Sequence, residues 1–272
     1  MASGVRDGRV LPLTRGVAWF IVPFLVVAFA VLWPVPTDTD TLFAWHIVPT
    51  LTPMILGSAY LGGAYFFVRA GRATQWQAVK GGFVPVAMFA TLLGIATIIH
   101  WDKFHHRHVA FWLWAGLYFT TPFLIAYVYL SNRRHDPPVV PGDVVMPVMA
   151  ARIIGVVGAL ALITGLFLFF VPARAISVWP WPLTPLTARV MGAVFCLGIA
   201  GIGAMIDRRW HSARIPLQVA LVMLALILVA GIRAPGELAD ANILTWTFVA
   251  GFAVVTLATA IFYVRMERLD RG

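Results

Sequence analysis

The sequence predicts an all-α fold: a polytopic transmembrane bundle of eight helices, built as two parallel four-helix repeats. Three observations carry that expectation. Of 272 residues, 61% are hydrophobic and 11% charged, against about 45–50% and about 25% in soluble domains. Eight separate stretches approach the ~20 apolar residues that a spanning helix needs. An offset of 135 residues lays one half of the chain on the other. With a mean hydropathy of +0.88, the chain has too little charge to cover a water-facing surface. A soluble enzyme, a secreted disulfide scaffold and a disordered chain are excluded.

The first stretch, 16–33, follows Arg6, Arg9 and Arg15. Ala28-Phe29-Ala30 faintly resembles a cleavage site, but the apolar run exceeds the ~7–15 residues of a signal-peptide core. It continues through Val31-Leu32-Trp33 and reads as a retained helix. The second, 48–68, follows Trp45-His46-Ile47-Val48-Pro49 and carries the small pairs Ser58/Gly62 and Ala59/Gly63, which let backbones approach closely. The third, 83–100, and fourth, 109–130, flank one dense polar segment. The fifth, 147–171, carries Gly155/Ala159. The sixth, 187–206, follows Trp179-Pro180-Trp181-Pro182 and carries Ala200/Ala204; the last two are 216–232 and 243–264. Helices two and six hold the densest small-residue sets and are expected near the axis of the bundle. Thr52 and Thr187 are candidate N-caps. The Pro- and Trp-rich segments before them read as plugs shaping a vestibule, or as the mouth of a cavity for an apolar or amphiphilic ligand. The mid-span threonines Thr91, Thr97 and Thr164 are expected to bond their own helix carbonyls.

Charge sets the orientation. Lys plus Arg number 20 and Asp plus Glu 11, a net charge of +9. In a soluble protein this would suggest nucleic acid, but beside membrane spans it reads as a topology signal, with no nucleic-acid partner. Fifteen basic residues fall on the face holding both termini and loops two, four and six, and five on the other. By the positive-inside rule both termini are cytoplasmic. Trp33, Trp45, Trp101, Trp112, Trp114, Trp179, Trp181 and Trp246 fall near the outer face as an aromatic belt. On the inner face Trp76 and Trp210 read as interfacial anchors. Lys80 and Lys103 are the only lysines, and an Arg, Ala, Val and Gly bias of this kind suggests a high-GC bacterial genome and the plasma membrane. Cys196 is the sole cysteine, which leaves no internal disulfide and no cysteine-based metal site.

The repeat divides the chain at 1–135 and 136–272. It lays Leu51-Thr52 on Leu186-Thr187, Gly57 on Gly192, Gly63 on Gly198, Met88 on Met223, Ala115-Gly116 on Ala250-Gly251, and Asp102 on Glu237. Four crossings per half make both halves enter from the same side, so their pseudo-twofold axis is expected along the membrane normal.

Chemistry has few candidate positions. No Asp, Glu or Lys falls in the middle of a span, which weakens an ion pump or proton-coupled transporter. The one dense polar cluster is His100-Trp101-Asp102-Lys103-Phe104-His105-His106-Arg107-His108, with His46 emerging on the same side. If the fourth helix began near Asp102, then Asp102, His105 and His106 would share a face. Imidazoles with a carboxylate can ligate zinc, copper or haem iron. His46, His100, Asp102, His105, His106 and His108 are therefore the candidate metal set, against the plainer reading of a wet loop touching lipid headgroups. The second half has Pro235, Asp240, Ala241 and Ile243 in place of the four histidines of the segment, and Trp181 in place of His46. No P-loop, kinase set or nucleophile elbow is present, and no catalytic residue is assigned.

The strings LFAWHIVPTLTPMILGSAYLGGAYFF and IIHWDKFHHRHVAFWLWAGLYFTTPF resemble those of uncharacterised polytopic membrane proteins of high-GC bacteria. The resemblance implies fold and location, with no activity attached. Three functions compete. The first is a non-catalytic membrane component, an accessory subunit or a binder of lipid or apolar ligand. The second is a carrier for a small neutral or amphiphilic solute. The third is a metal- or haem-binding redox protein using the histidine cluster. Expected partners are membrane lipids and a membrane protein or a second copy of the chain.

Overall fold

The computed structural model describes residues 7–137, 143–238 and 243–271. Their secondary structure is helical: α1 (Pro12–Leu32), α2 (Thr39–Leu42), α3 (Leu51–Arg72), α4 (Phe83–Ile99), α5 (Val109–Asn132), α6 (Val148–Phe170), α7 (Pro172–Val178), α8 (Pro185–Cys196), α9 (Ile199–Ile206), α10 (Trp210–Arg233) and α11 (Ile243–Arg271). Among the described residues, β pairing is limited to two isolated bridges. Among the described residues, eight helices are long and apolar enough to cross a membrane, with α8 and α9 together forming the sixth. The chain has the character of a multi-pass integral membrane protein.

Proline and glycine set several boundaries. Pro12, Pro172 and Pro185 sit in the first turns of α1, α7 and α8, where a missing N–H costs nothing. Thr184 is the N-cap of α8: its side chain accepts the Thr187 N–H while the Thr187 hydroxyl accepts the Thr184 N–H. Thr187 is thus the reciprocal partner of the cap rather than the cap itself. Thr52 lies inside α3, whose N-cap is Thr50. The sixth span breaks at Leu197–Gly198, where N–H groups reach back three residues, Leu197 to Val194 and Gly198 to Phe195. This tighter turn falls where α6 presses closest. A Cβ on Gly158 would lie 2.4 Å from the Gly198 carbonyl, and one on Gly165 would lie 2.6 Å from the Gly192 carbonyl.

Even passage brings both ends of the chain to one end of the bundle, the terminal end, with loops two, four and six; the other is the distal end. The second span, α3, is the most enclosed. It packs on α1, α10 and α8; α4 packs on α5 and α8, α6 on α8 and α9, and α10 on α11. Gly62 accommodates Met223 and Val219 of α10, and Gly63 faces Leu25 of α1.

The aromatic residues correct the expected belt. Trp101, Trp112 and Trp246 are exposed, but Trp45, Trp114 and Trp181 are buried in the largest core cluster. Trp76 and Trp210 are both 0% exposed and so are not interfacial anchors. The Trp76 backbone N–H donates to the Gly8 carbonyl at 2.6 Å, and the Trp210 backbone N–H to the Val144 carbonyl at 2.8 Å. Each indole plugs the terminal end beneath an extended segment that leads into a span. Gly8 takes a φ of +68° there, and a Cβ would meet Gln75 Oε1 at 2.5 Å. Glycine satisfies both constraints.

Candidate functional site

At the distal end the fourth span starts at Val109, not near Asp102. Phe104 turns inward and is buried against Trp45 and Phe111, and the His105 N–H donates to the Ala44 carbonyl at 2.9 Å. These anchors pull the segment out of helical register, so Asp102, His105 and His106 do not share a helix face.

Of the six residues of the expected metal set, His46, His105 and His108 lie near one another around Asp40, and His100, Asp102 and His106 have other neighbours. His105 Nε2 and His46 Nδ1 lie 3.5 and 3.8 Å from the same Asp40 oxygen. The His108 ring is 5.1 Å from that of His105. His106 packs edge-on to Phe111 and beside Trp101. Asp102 is exposed and pairs with Lys103 at 2.8 Å. His100 Nε2 sits 2.7 Å from Arg189 Nη1. Guanidinium only donates, so His100 must be neutral with its proton on Nδ1. Burial and then the Arg189 charge lower the His100 pKa, with Asp102 pulling the other way. Among the described residues no three His, Cys, Asp or Glu side chains are grouped to hold a metal ion.

Two distal contacts were not foreseen from sequence. Glu237 accepts the N–H groups of Thr50 (2.8 Å) and Leu51 (2.7 Å) and the Thr50 hydroxyl (2.6 Å). A carboxylate at the start of α3 satisfies orphan donors and complements the helix dipole. At the 135-residue offset read from the sequence, position 185 is a proline without an N–H, and Asp102 is turned to solvent. The second contact is Arg233, which donates to the Trp33 and Pro34 carbonyls at 2.7 and 3.2 Å and lies over the Trp33 ring.

In the bundle, polar groups answer one another. Tyr60 and Tyr118 hydroxyls lie 2.6 Å apart. Thr97 bonds the Leu93 carbonyl, as expected, and also accepts Trp114 Nε1 at 2.8 Å. Thr91 bonds the Ala87 carbonyl. Thr52 accepts Trp181 Nε1 at 3.0 Å.

At the terminal end, Arg214 pairs with Glu267 at 2.6 Å, and two further charged features stand beside that pair. The first is a neutral knot of Lys80, Asp136, Asp207 and Arg209. Lys80 reaches Asp136 at 2.7 Å and Asp207 at 2.6 Å, and Arg209 grips Asp207 through two bonds of 2.9 Å. One residue set thereby ties loops two, four and six. Burial alone would raise the Asp207 pKa, but the bonds from Arg209 and Lys80 overcome it and hold the carboxyl below its usual value.

The second is a cleft of about 520 Å³ between the end of α3, the following loop and the start of α10. Arg69, Arg72, Thr74, Gln75, Gln77 and His211 line it. Arg69 Nη1 donates to Tyr65 Oη at 3.0 Å and to Gln218 Oε1 at 3.4 Å. Tyr65 donates to the same amide oxygen at 2.7 Å, and the Gln218 amide donates to Tyr263. The sequence signal for this chain was Gln218, the only amide in its span. Arg72 lies 5.8 Å over the Trp19 ring of α1.

No family model, curated protein or solved structure matches the chain.

Proposed function

We propose that the chain is a non-catalytic integral component of a bacterial plasma membrane, an accessory subunit or a binder of lipid or apolar ligand, with both termini cytoplasmic. The observation that carries this reading is the interior of the spans. Among the described residues it holds neutral polar pairs, Tyr60 with Tyr118, Thr97 with Trp114 and Thr52 with Trp181. Such pairs rigidify a bundle in lipid and supply no nucleophile, base or ion relay. The paired charges gather instead at the ends.

The reading includes a duplicated architecture with repeats at 1–135 and 136–272. Its support is a packing pattern that survives exchange of each span for the one four places on. Spans one and two pair as do five and six, three and four as seven and eight, and two with seven as six with three. Details agree. Val10 and Trp76 bond to Thr74 and Gly8, and Met146 and Trp210 bond to Arg208 and Val144. Trp76 meets Tyr129 as Trp210 meets Tyr263. The segment after span three reaches span six through His100 and Arg189, and that after span seven reaches span two through Glu237 and Thr50.

A carrier for a neutral or amphiphilic solute is the second reading. It is favoured by the break at Leu197–Gly198, since interrupted helices mark many transporter sites. One preparation decides between them. The full chain, purified in mild detergent, is analysed for bound lipid, apolar ligand and protein partner, and reconstituted for uptake. A retained ligand or partner without saturable uptake is the expected result. Saturable uptake replaces the reading with the carrier, and metal content or a haem absorption band replaces it with the redox alternative.

A further inference from the structure

We infer that the cleft at the terminal end is a binding site for a phosphate group, supplied by the headgroup of an anionic membrane lipid. The inference deepens the reading of the chain as a lipid binder and rests on it.

Basic residues beside spans are ordinarily topology signals, but Arg69 and Arg72 also line one cleft. Lys80, Arg209 and Arg214 each lie within 3 Å of a carboxylate oxygen. Arg69 and Arg72 do not: their recorded contacts among the described residues are with Tyr65, Gln218 and the Trp19 ring. Among the described residues no carboxylate lines the cleft, and the remaining polar lining (Thr74, Gln75, Gln77, His211) can donate hydrogen bonds. His211 stands in the first turn of α10, the end of a helix that favours anions. The carboxylate facing it is Asp270, 3.7 Å away on α11.

Arg69 is also held in place. The Tyr65–Gln218–Tyr263 chain holds Nη1 from three spans, and Arg69 lines the cavity. A planar fork suits phosphate oxygens. At about 520 Å³ the cleft has the size of a small-molecule site. The lipid source follows from position. Arg72 sits over Trp19, a 44%-exposed tryptophan of α1 near the terminal end, and tryptophans are enriched at headgroup depth in spanning helices. The cleft therefore opens where headgroups are.

The test is native mass spectrometry of the full chain titrated with phosphatidylglycerol or phosphatidylcholine, with inorganic phosphate as a separate arm. Arg69→Gln and the exposed Arg72→Gln are compared with the double variant Arg133→Gln/Arg134→Gln, which removes two exposed charges from the same end. The first phosphatidylglycerol should bind at least about tenfold more weakly to each cleft variant, the loss of one charge-assisted bond, with the control unchanged. Because Arg72 is exposed, its variant keeps the test valid if Arg69→Gln fails to fold. Loading by inorganic phosphate without phosphatidylglycerol overturns the lipid source. Equal losses in control and cleft variants, or no loss in either cleft variant, overturn the site. In that last case lipid still bound to the protein would leave the parent reading standing, whereas a chain carrying neither lipid nor partner would remove both.

Discussion

Glu237 joins two helices that no local signal connects. Its carboxylate takes two backbone N–H groups and one hydroxyl at the start of α3, 187 and 186 residues away in sequence. Hydrogen bonds to a charged group contribute about 1.5–3 kcal/mol. Glu237→Ala should therefore destabilise the bundle by about that amount in reversible unfolding in detergent. Glu237→Gln, which keeps one acceptor oxygen, should recover part of the loss. Equal stability of Glu237→Ala and the native chain would show that water replaces the carboxylate at no cost. At the start of α8, by contrast, Pro185 has no N–H, and Thr184 with Thr187 completes the cap locally.

Among the elements, the contact of α6 with the broken pair α8–α9 is the tightest. Glycines on both sides bring backbone against backbone, and the Gly158 hydrogen faces the Gly198 carbonyl directly. Gly158→Ala would force two helices apart, an overpacking cost of about 1–3 kcal/mol. Gly116 on α5 is the matched control, since a Cβ there meets nothing within 4 Å. Gly116→Ala should be neutral or stabilising by about 0.5–1 kcal/mol, because alanine is the better helix former. Thermal unfolding of the two variants side by side reads the difference, and an equal shift would remove the argument from close approach. The small-residue pairs named from sequence located α3 and the α6 contact correctly as packing faces. They did not single out Gly158, Gly165 and Gly201, because spacing alone cannot tell which side of a helix meets a neighbour.

At the level of the whole molecule, the Lys80–Asp136–Asp207–Arg209 knot and the two buried tryptophans close the terminal end, while Glu237, Arg233 and Arg189 stitch the distal end. The proposed orientation places the first of these in the cytoplasm. Cysteine labelling tests it on a native background, because Cys196 is the only cysteine and is 0% exposed. The native chain should not react with a membrane-impermeant maleimide. In intact cells Lys103→Cys should label, and Arg134→Cys should label only after the membrane is opened. The reverse pattern would invert the topology, and labelling of both from outside would break the eight-pass count.

The sequence by itself determined that this is a bundle of eight apolar helices, and roughly where each begins and ends. Apolar length is a local sum that no distant residue can cancel, so it is legible without coordinates. Only the tertiary structure decided which helices touch and which polar groups meet. The histidine segment read as one cluster because its members are adjacent in sequence, yet Phe104 and the Ala44 carbonyl turn the chain so that His100, His105 and His106 face different neighbours. Tryptophan was ambiguous for a related reason. An indole is equally suited to an interface and to a core, and whether Trp45 or Trp112 is covered depends on elements that fold over it from elsewhere. Arg69 and Arg72 looked like two more topology charges until folding set them in one cleft with Thr74, Gln75, Gln77 and His211.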